Sequence, residues 1–139
     1  MDLRTLADRI EINDLLTRYA HAVDTKDWAL YRTVFTPDAY VDRTGPSTRG
    51  IRGDIDTVAP WVEKSMANYA MTQHLISNID VKLDGDSATV RAMFYNPMRP
   101  LNGEMFFCGG WYTHELVRTT EGWKSRRLVI EHGWFDSKR

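Results

Sequence analysis

The sequence predicts an α+β fold. Residues 3–23, 26–35 and 54–67 repeat their apolar side chains at helical spacing, while residues 71–135 alternate apolar with polar over long stretches. The Asp84-Gly85 and Thr119-Thr120-Glu121-Gly122 turn signals then divide the second half into successive strands with no helices between them. Helices first and antiparallel strands after is the order of an α+β domain.

Residues 3–23 read as the first helix. Leu3, Leu6, Ala7 and Ile10 recur at helical spacing. After a small drift in phase, Ile12, Leu15, Leu16, Tyr19, Ala20 and Val23 continue the stripe. Asp2 can cap its start, and Arg4–Asp8 and Asp14–Arg18 stand as i,i+4 pairs. The pattern breaks at Val23–Asp24, where Asp24 followed by Asp27 has the form of an N-cap with an acid at N3. A second helix over 26–35 puts Trp28, Tyr31, Val34 and Phe35 on one face, and Thr36-Pro37-Asp38 ends it. Ala39 to Asp42 reads as a short strand. Residues 43–53, with Gly45-Pro46, Gly50 and Gly53, read as a loop with Ile51 in a brief strand. The third helix starts at Asp54 or Asp56 and reaches Ala67; Pro60 favours the later start.

The strands follow. Residues 71–83 place Leu75, Ile79, Val81 and Leu83 on one face, with His74 and Ile76 on the other. Residues 87–96 return with Ala88, Val90, Ala92, Phe94 and Asn96 on one face, and Asn96-Pro97 ends the strand. Residues 104–119 form a long strand bulged at Gly109-Gly110, and residues 123–135 form the last. Several strands carry apolar residues on both faces. One face packs on the helices, so the other needs a cover, and a second copy of the chain supplies one: a homodimer or homotrimer through the sheet.

A length of 139 residues sets the expectation of a single domain, 1–139, and 42% hydrophobic residues suit a packed core. A net charge of −1 with no basic stripe argues against a nucleic-acid partner. The lone Cys108 excludes an internal disulfide, and no paired-Cys or histidine spacing matches a metal motif. The longest apolar run is too short to span a membrane, and residues 1–5 have no signal-peptide core, so the expectation is a cytoplasmic protein.

Certain strings carry a family resemblance: Ile12-Asn-Asp-Leu-Leu-Thr-Arg-Tyr19, Ala22-Val-Asp24 with Trp28, Phe35-Thr-Pro-Asp38-Ala, Met71-Thr-Gln-His74-Leu-Ile-Ser-Asn78, Gly110-Trp-Tyr-Thr113, and Trp123-Lys124 up to Trp134-Phe135. In this order they resemble the SnoaL-like, scytalone-dehydratase-like branch of the nuclear transport factor 2-like superfamily. The resemblance implies a cone-shaped α+β barrel, with three N-terminal helices packed in a strongly curved, mainly antiparallel sheet and a pocket between. It implies catalytic roles for Asp24 and His74. These fall where bile acid 7α-dehydratase and a hexachlorocyclohexane dehydrochlorinase pair an Asp after the first helix with a His on the first long strand. Tyr19 falls on a further polar pocket position. Asn96 stands near where the bile acid enzyme has another acid, a departure from the family pattern. The early-strand tyrosine of scytalone dehydratase has no match; Tyr40, Asp42 and Arg43 lie nearby.

Elimination beside an activated C–H needs a base that titrates near neutrality, and histidine is that residue type. A carboxylate on its other ring nitrogen fixes the tautomer and stabilises the imidazolium. Tyr19 and Asn96 can donate hydrogen bonds to a carbonyl or a departing hydroxyl. Trp111 and Phe94 offer apolar wall, and Glu131 is a further polar candidate for substrate binding. No cofactor and no metal are called for. The expected function is a cofactor-independent lyase or isomerase acting on a hydrophobic, cyclic, oxygenated small molecule. A non-catalytic small-molecule binder and a structural interaction module of the same fold are the alternatives. Each residue also has a plain structural reading: Asp24 as a helix cap, Tyr19 as core, Asn96 as a turn former before proline. Tyr19 and Asp24 lie about 140° apart on a continuous helix, so they can share a pocket only if the helix breaks between them.

Overall fold

The structure is a computed structural model and describes residues 1–45 and 50–136; the expected turn residue Pro46 lies outside the described residues. Helix α1 spans Leu3–Thr25, α2 Trp28–Arg32 and α3 Ile55–Met66. The strands are β1 Phe35–Asp42, β2 Arg52–Asp54, β3 Tyr69–Thr72, β4 Leu75–Asp84, β5 Ser87–Pro100, β6 Phe106–Thr119 and β7 Gly122–Phe135. They form one curved, unclosed sheet in the order β2-β1-β7-β6-β5-β3, with β4 alongside β3 on β5. All pairs are antiparallel except β1 with β7. Among the described residues no helix is long and apolar enough to cross a membrane.

Asp2 caps α1 by accepting from Thr5 N at 2.7 Å. The first apolar residues of the helix do not reach the core: Leu3, Leu6 and Ile10 are exposed, and the buried face begins with Asp8 and Ile12. Asp8 is not paired with Arg4 as its spacing suggests. It takes both terminal nitrogens of Arg118 on β6, at 2.7 and 2.9 Å, and the Trp123 indole N–H at 3.1 Å. These bonds fix the helix across the sheet.

α1 does not break at Val23–Asp24. It runs two residues further, and Lys26 ends it in the left-handed conformation, φ 57°, with its N–H returned to Ala22 and Val23. The cap of α2 is Asp27, whose carboxylate accepts from Leu30 N at 3.0 Å, so Asp24 is free of capping duty. α2 is only five residues long. Phe35, Thr36 and Pro37 belong to β1, and a register shift between Phe35 and Tyr40 accommodates the proline. Asp54, not Asp56, caps α3, leaving Pro60 inside the helix at the cost of one ladder bond; the Asp56 side chain pairs with Arg32.

Ile12, Leu15, Leu16 and Val23 of α1, Tyr31, Val34 and Phe35, and Ile55, Val58 and Val62 of α3 meet the inner residues Val90, Phe94, Tyr112, Leu116, Trp123, Leu128 and Ile130 of the sheet. Each fully buried aliphatic or aromatic side chain contributes roughly 1.5–3 kcal/mol. In β4 the inner face changes parity. Asn78 adopts φ 51° and the register with β5 shifts between Ser77 and Asp80. Ile76 therefore shares the inner side with Ile79, Val81 and Leu83, while Leu75 turns outward.

β5 does not end at Asn96-Pro97. It continues to Pro100 and pairs with β6 as far as Met98, Asn96 opposite Cys108 and Pro97 opposite Phe107. On its other side, Thr72 faces Met98 and Leu75 faces Tyr95, so Gln73 and His74 fall opposite Pro97 and Asn96 in an unbroken register. The strand is interrupted there because proline has no N–H: Gln73 N donates to Pro97 O at 3.0 Å, and nothing can be returned.

Candidate active site

The position of His74 in this ladder decides where its amide points. Gln73 turns its N–H toward β5, so the next residue turns its own away, toward the open side of the strand. The last turn of α1 lies there. Asp24 Oδ2 accepts the His74 backbone N–H at 2.9 Å, and Oδ1 meets the His74 ring Nδ1 at 2.6 Å and accepts from Thr72 Oγ1 at 2.9 Å. Thr72 at the end of β3 and His74 in the interruption after it, two residues apart in extended chain, present the same face to one carboxylate.

Burial works against the Asp24 charge. The hydrogen bonds from the His74 ring, the His74 amide and Thr72 outweigh it and hold the carboxyl below its usual range. An ionised Asp24 can only accept, so Nδ1 carries a proton, and in the neutral form of the ring Nε2 is left with the lone pair. The His74 ring is 6% exposed and the Asp24 side chain 20%. Nε2 is assigned no hydrogen bond among the described residues.

Asn96 is buried on the inner face directly across from His74. Its amide reaches the Tyr112 hydroxyl, and its Oδ1 has no partner among the described residues. Tyr19 does not join the pair. With α1 unbroken through Asp24, the two side chains leave the axis about 140° apart. Tyr19 is 1% exposed, ringed by Tyr31, Phe35, Tyr112 and His114, and its hydroxyl accepts from Arg43 at 3.3 Å.

Trp111 and Glu131 stand on the opposite, outer face. Tyr112 and His114 take the inward positions of β6, which turns Trp111 out beneath the Arg91 guanidinium, 5.4 Å from the ring centroid. Glu131 is the cross-strand partner of Trp111 and pairs with Arg91 at 3.1 Å. The bulge at Gly109/Gly110 sets this parity; a Cβ on Gly110 would lie 1.9 Å from Glu131 O, so only glycine fits. Phe94 is inward and stacks on Tyr112 at 4.6 Å.

Sequence reasoning did not single out Thr72, Tyr112 or His114, and it noted Arg43 only as a neighbour. Strand parity with His74 is the signal for Thr72, and parity with Ala39 and Val41 is the signal for Arg43. His114 is 1% exposed, and burial pushes it down to about 3. Ser125 Oγ, which donates to Arg127 O, receives its Nδ1 at 2.8 Å, so the ring is neutral with Nε2 bare. Among the described residues no group of three His, Cys, Asp or Glu side chains could hold a metal ion.

Comparison with known proteins places this chain in a family. The uncharacterized protein Rv2910c of Mycobacterium tuberculosis is 34% identical over 131 residues, 93% of this chain and 88% of its own length. The crystal structure of the Kfla4162 protein from Kribbella flavida superposes with a TM-score of 0.85 at 24% identity, covering 96% of this chain and 95% of that one. A type 2 hexachlorocyclohexane dehydrochlorinase, LinA, gives 0.84 at 21% identity over 97% and 91%. The two structural likenesses concern the fold. The SnoaL-like domain profile matches residues 4–129, and the chain belongs to the SnoaL-like domain family.

Proposed function

We propose that this protein is a cofactor-independent lyase or isomerase that removes a proton from a hydrophobic, cyclic, oxygenated small molecule, with His74 as base and Asp24 as the group that orients it. The observation that carries the reading is the double hold of one carboxylate on one residue: Asp24 takes both the ring Nδ1 and the backbone N–H of His74. A capping or surface aspartate has no need of the ring. The hold fixes the tautomer that leaves Nε2 basic, and the carboxylate compensates the imidazolium formed when a proton arrives. Asn96, across the ladder, is the nearest candidate to steady negative charge developing on a substrate oxygen. Similarity in fold to a dehydrochlorinase, whose name denotes an elimination, supports the reaction class.

The test is a substrate screen of wild type against His74→Ala, with hydroxylated ketones, sterols and polyketide-like rings. Turnover lost with His74 supports the reading; equal turnover in both proteins removes it. A non-catalytic binder built on the same interior is the second reading, favoured by the 6% exposure of the His74 ring. It is distinguished by saturable binding without turnover in either protein.

A further inference from the structure

A second feature of the cone interior lies beyond the Asp24–His74 pair: a cation with no counter-charge. Arg43 continues the alternation that buries Ala39 and Val41 on β1, and its backbone is held by Ile51 O at 2.8 Å. One terminal nitrogen donates to Tyr19 Oη at 3.3 Å. Its Nε is buried and has no hydrogen-bond partner among the described residues. Among those residues no carboxylate forms an ion pair with it. Its electrostatic neighbours are the phenols of Tyr19, Tyr31 and Tyr112.

The surroundings are rich in donors and supply no anion. Burial raises the hydroxyls of Tyr31 and Tyr112 far above any working pH, so both stay protonated, and Tyr31 Oη has no partner among the described residues. Burial, aided by the Arg43 charge, pushes the nearby His132 down to about 4, which leaves it neutral. A part-buried guanidinium without a counter-charge opposes folding. A chain that keeps one there has a use for the charge.

We propose that Arg43, with the hydroxyls of Tyr19, Tyr31 and Tyr112, is an anion subsite that receives the carboxylate of a small cyclic acid. One guanidinium balances one negative charge, and its fork matches the two oxygens of a carboxylate; a phosphate would bring a second charge with no second cation. The subsite and the pair share one inner surface. Asn96 faces His74 and touches Tyr112, whose ring lies 5.4 Å from that of Tyr19, the partner of Arg43. A ring held across Phe94 and Tyr112 would present its acid to Arg43 and its reacting carbon toward His74. The proposal rests on the reading of this interior as a small-molecule site and is independent of proton transfer at His74.

The experiment compares binding of naphthoate, benzoate and cyclohexanecarboxylate with that of their uncharged carboxamides. It uses wild type, Arg43→Met, Arg43→Lys and His74→Ala, followed by ligand-observed NMR and intrinsic fluorescence. Wild type is expected to prefer at least one acid over its amide by about tenfold or more. Arg43→Met should erase that preference, Arg43→Lys should keep part of it, and His74→Ala should retain it. In wild type the Arg43 Nε–H resonance should shift on addition of the acid, a readout that needs no variant to fold. Equal binding of acid and amide, an acid preference that survives Arg43→Met, or no binding of any acid at millimolar concentration would each overturn the proposal. Loss of turnover in His74→Ala with or without acid preference separates this result from the fate of the proposed reaction.

Discussion

At the scale of single residues, Asp24 is the most economical part of the molecule, since one carboxylate satisfies a hydroxyl, a backbone amide and a ring nitrogen. Asp24→Asn keeps the shape but allows the side-chain amide to donate toward Nδ1, which favours the opposite tautomer. On the proposed mechanism kcat should fall by about a hundredfold to ten-thousandfold with the fold intact, measured as turnover beside circular dichroism. Thr72→Val should cost about 1 kcal/mol in denaturant unfolding by removing one of the three bonds. His114 gives a separate, acid-side prediction. Its pKa is about 3 in the fold against an ordinary 6.5, so the unfolded chain takes up this proton first. Its contribution to stability is complete above pH 6.5 and drains away as pH falls from there toward 3. His114→Gln should flatten that part of a Tm-against-pH curve. Sequence alone reached Asp24 and His74 only through resemblance, because no local pattern joins residues fifty apart. Arg43 was legible in principle from strand parity, but a loop rich in glycine beside it obscured how far the strand's alternation extends.

Among the elements, the strongest periodic signal gave the most secure helix, and the errors cluster at its ends. Lys26 in the left-handed region has no sequence signature, and two acids three residues apart, Asp24 and Asp27, are equally good caps on paper. Lys26→Gly should stabilise the protein by roughly 0.5–1 kcal/mol, read as a shift in the denaturation midpoint. The parity change in β4 was illegible for a related reason, since asparagine at a bulge looks like any polar strand residue. Asn78→Val should cost about 1–2 kcal/mol, because a β-branched side chain resists φ 51°, whereas Asn78→Gly should cost little. The tie of α1 to the sheet is also local in cause. The Arg118 guanidinium, with the Trp123 indole N–H, holds the Asp8 carboxyl at about 2 against an ordinary 3.8. Its share of stability is present above pH ~4 and lost as pH falls through about 2. Asp8→Asn should cost about 2 kcal/mol in urea unfolding at neutral pH and less at pH 2.

For the whole molecule, the order of helices and strands was readable because period changes once, near residue 70, and the turns are marked by glycine. The parallel β1–β7 pair was not, since nothing in a strand's own sequence names its neighbour. Met93, Tyr95 and Trp134 remain exposed on the outer face, where Tyr95 packs on Phe107 and Trp134. We propose that a second copy covers this face. Sedimentation should then show a dimer or trimer that Tyr95→Lys or Met93→Lys shifts toward monomer; a monomeric wild type would remove the proposal. Pro97, finally, makes the molecule carry its own gauge. Beside the ladder bond that proline cannot return to Gln73, the next amide along, that of His74, turns away from β5 and is the one Asp24 holds. Any fluctuation that peels the edge of the sheet from α1 must expose the His74 amide and release its ring in the same event. The deuterium exchange rate of that single proton therefore counts how often the chain loses its proposed base, and a ligand that settles in the cone should slow it in proportion to its occupancy.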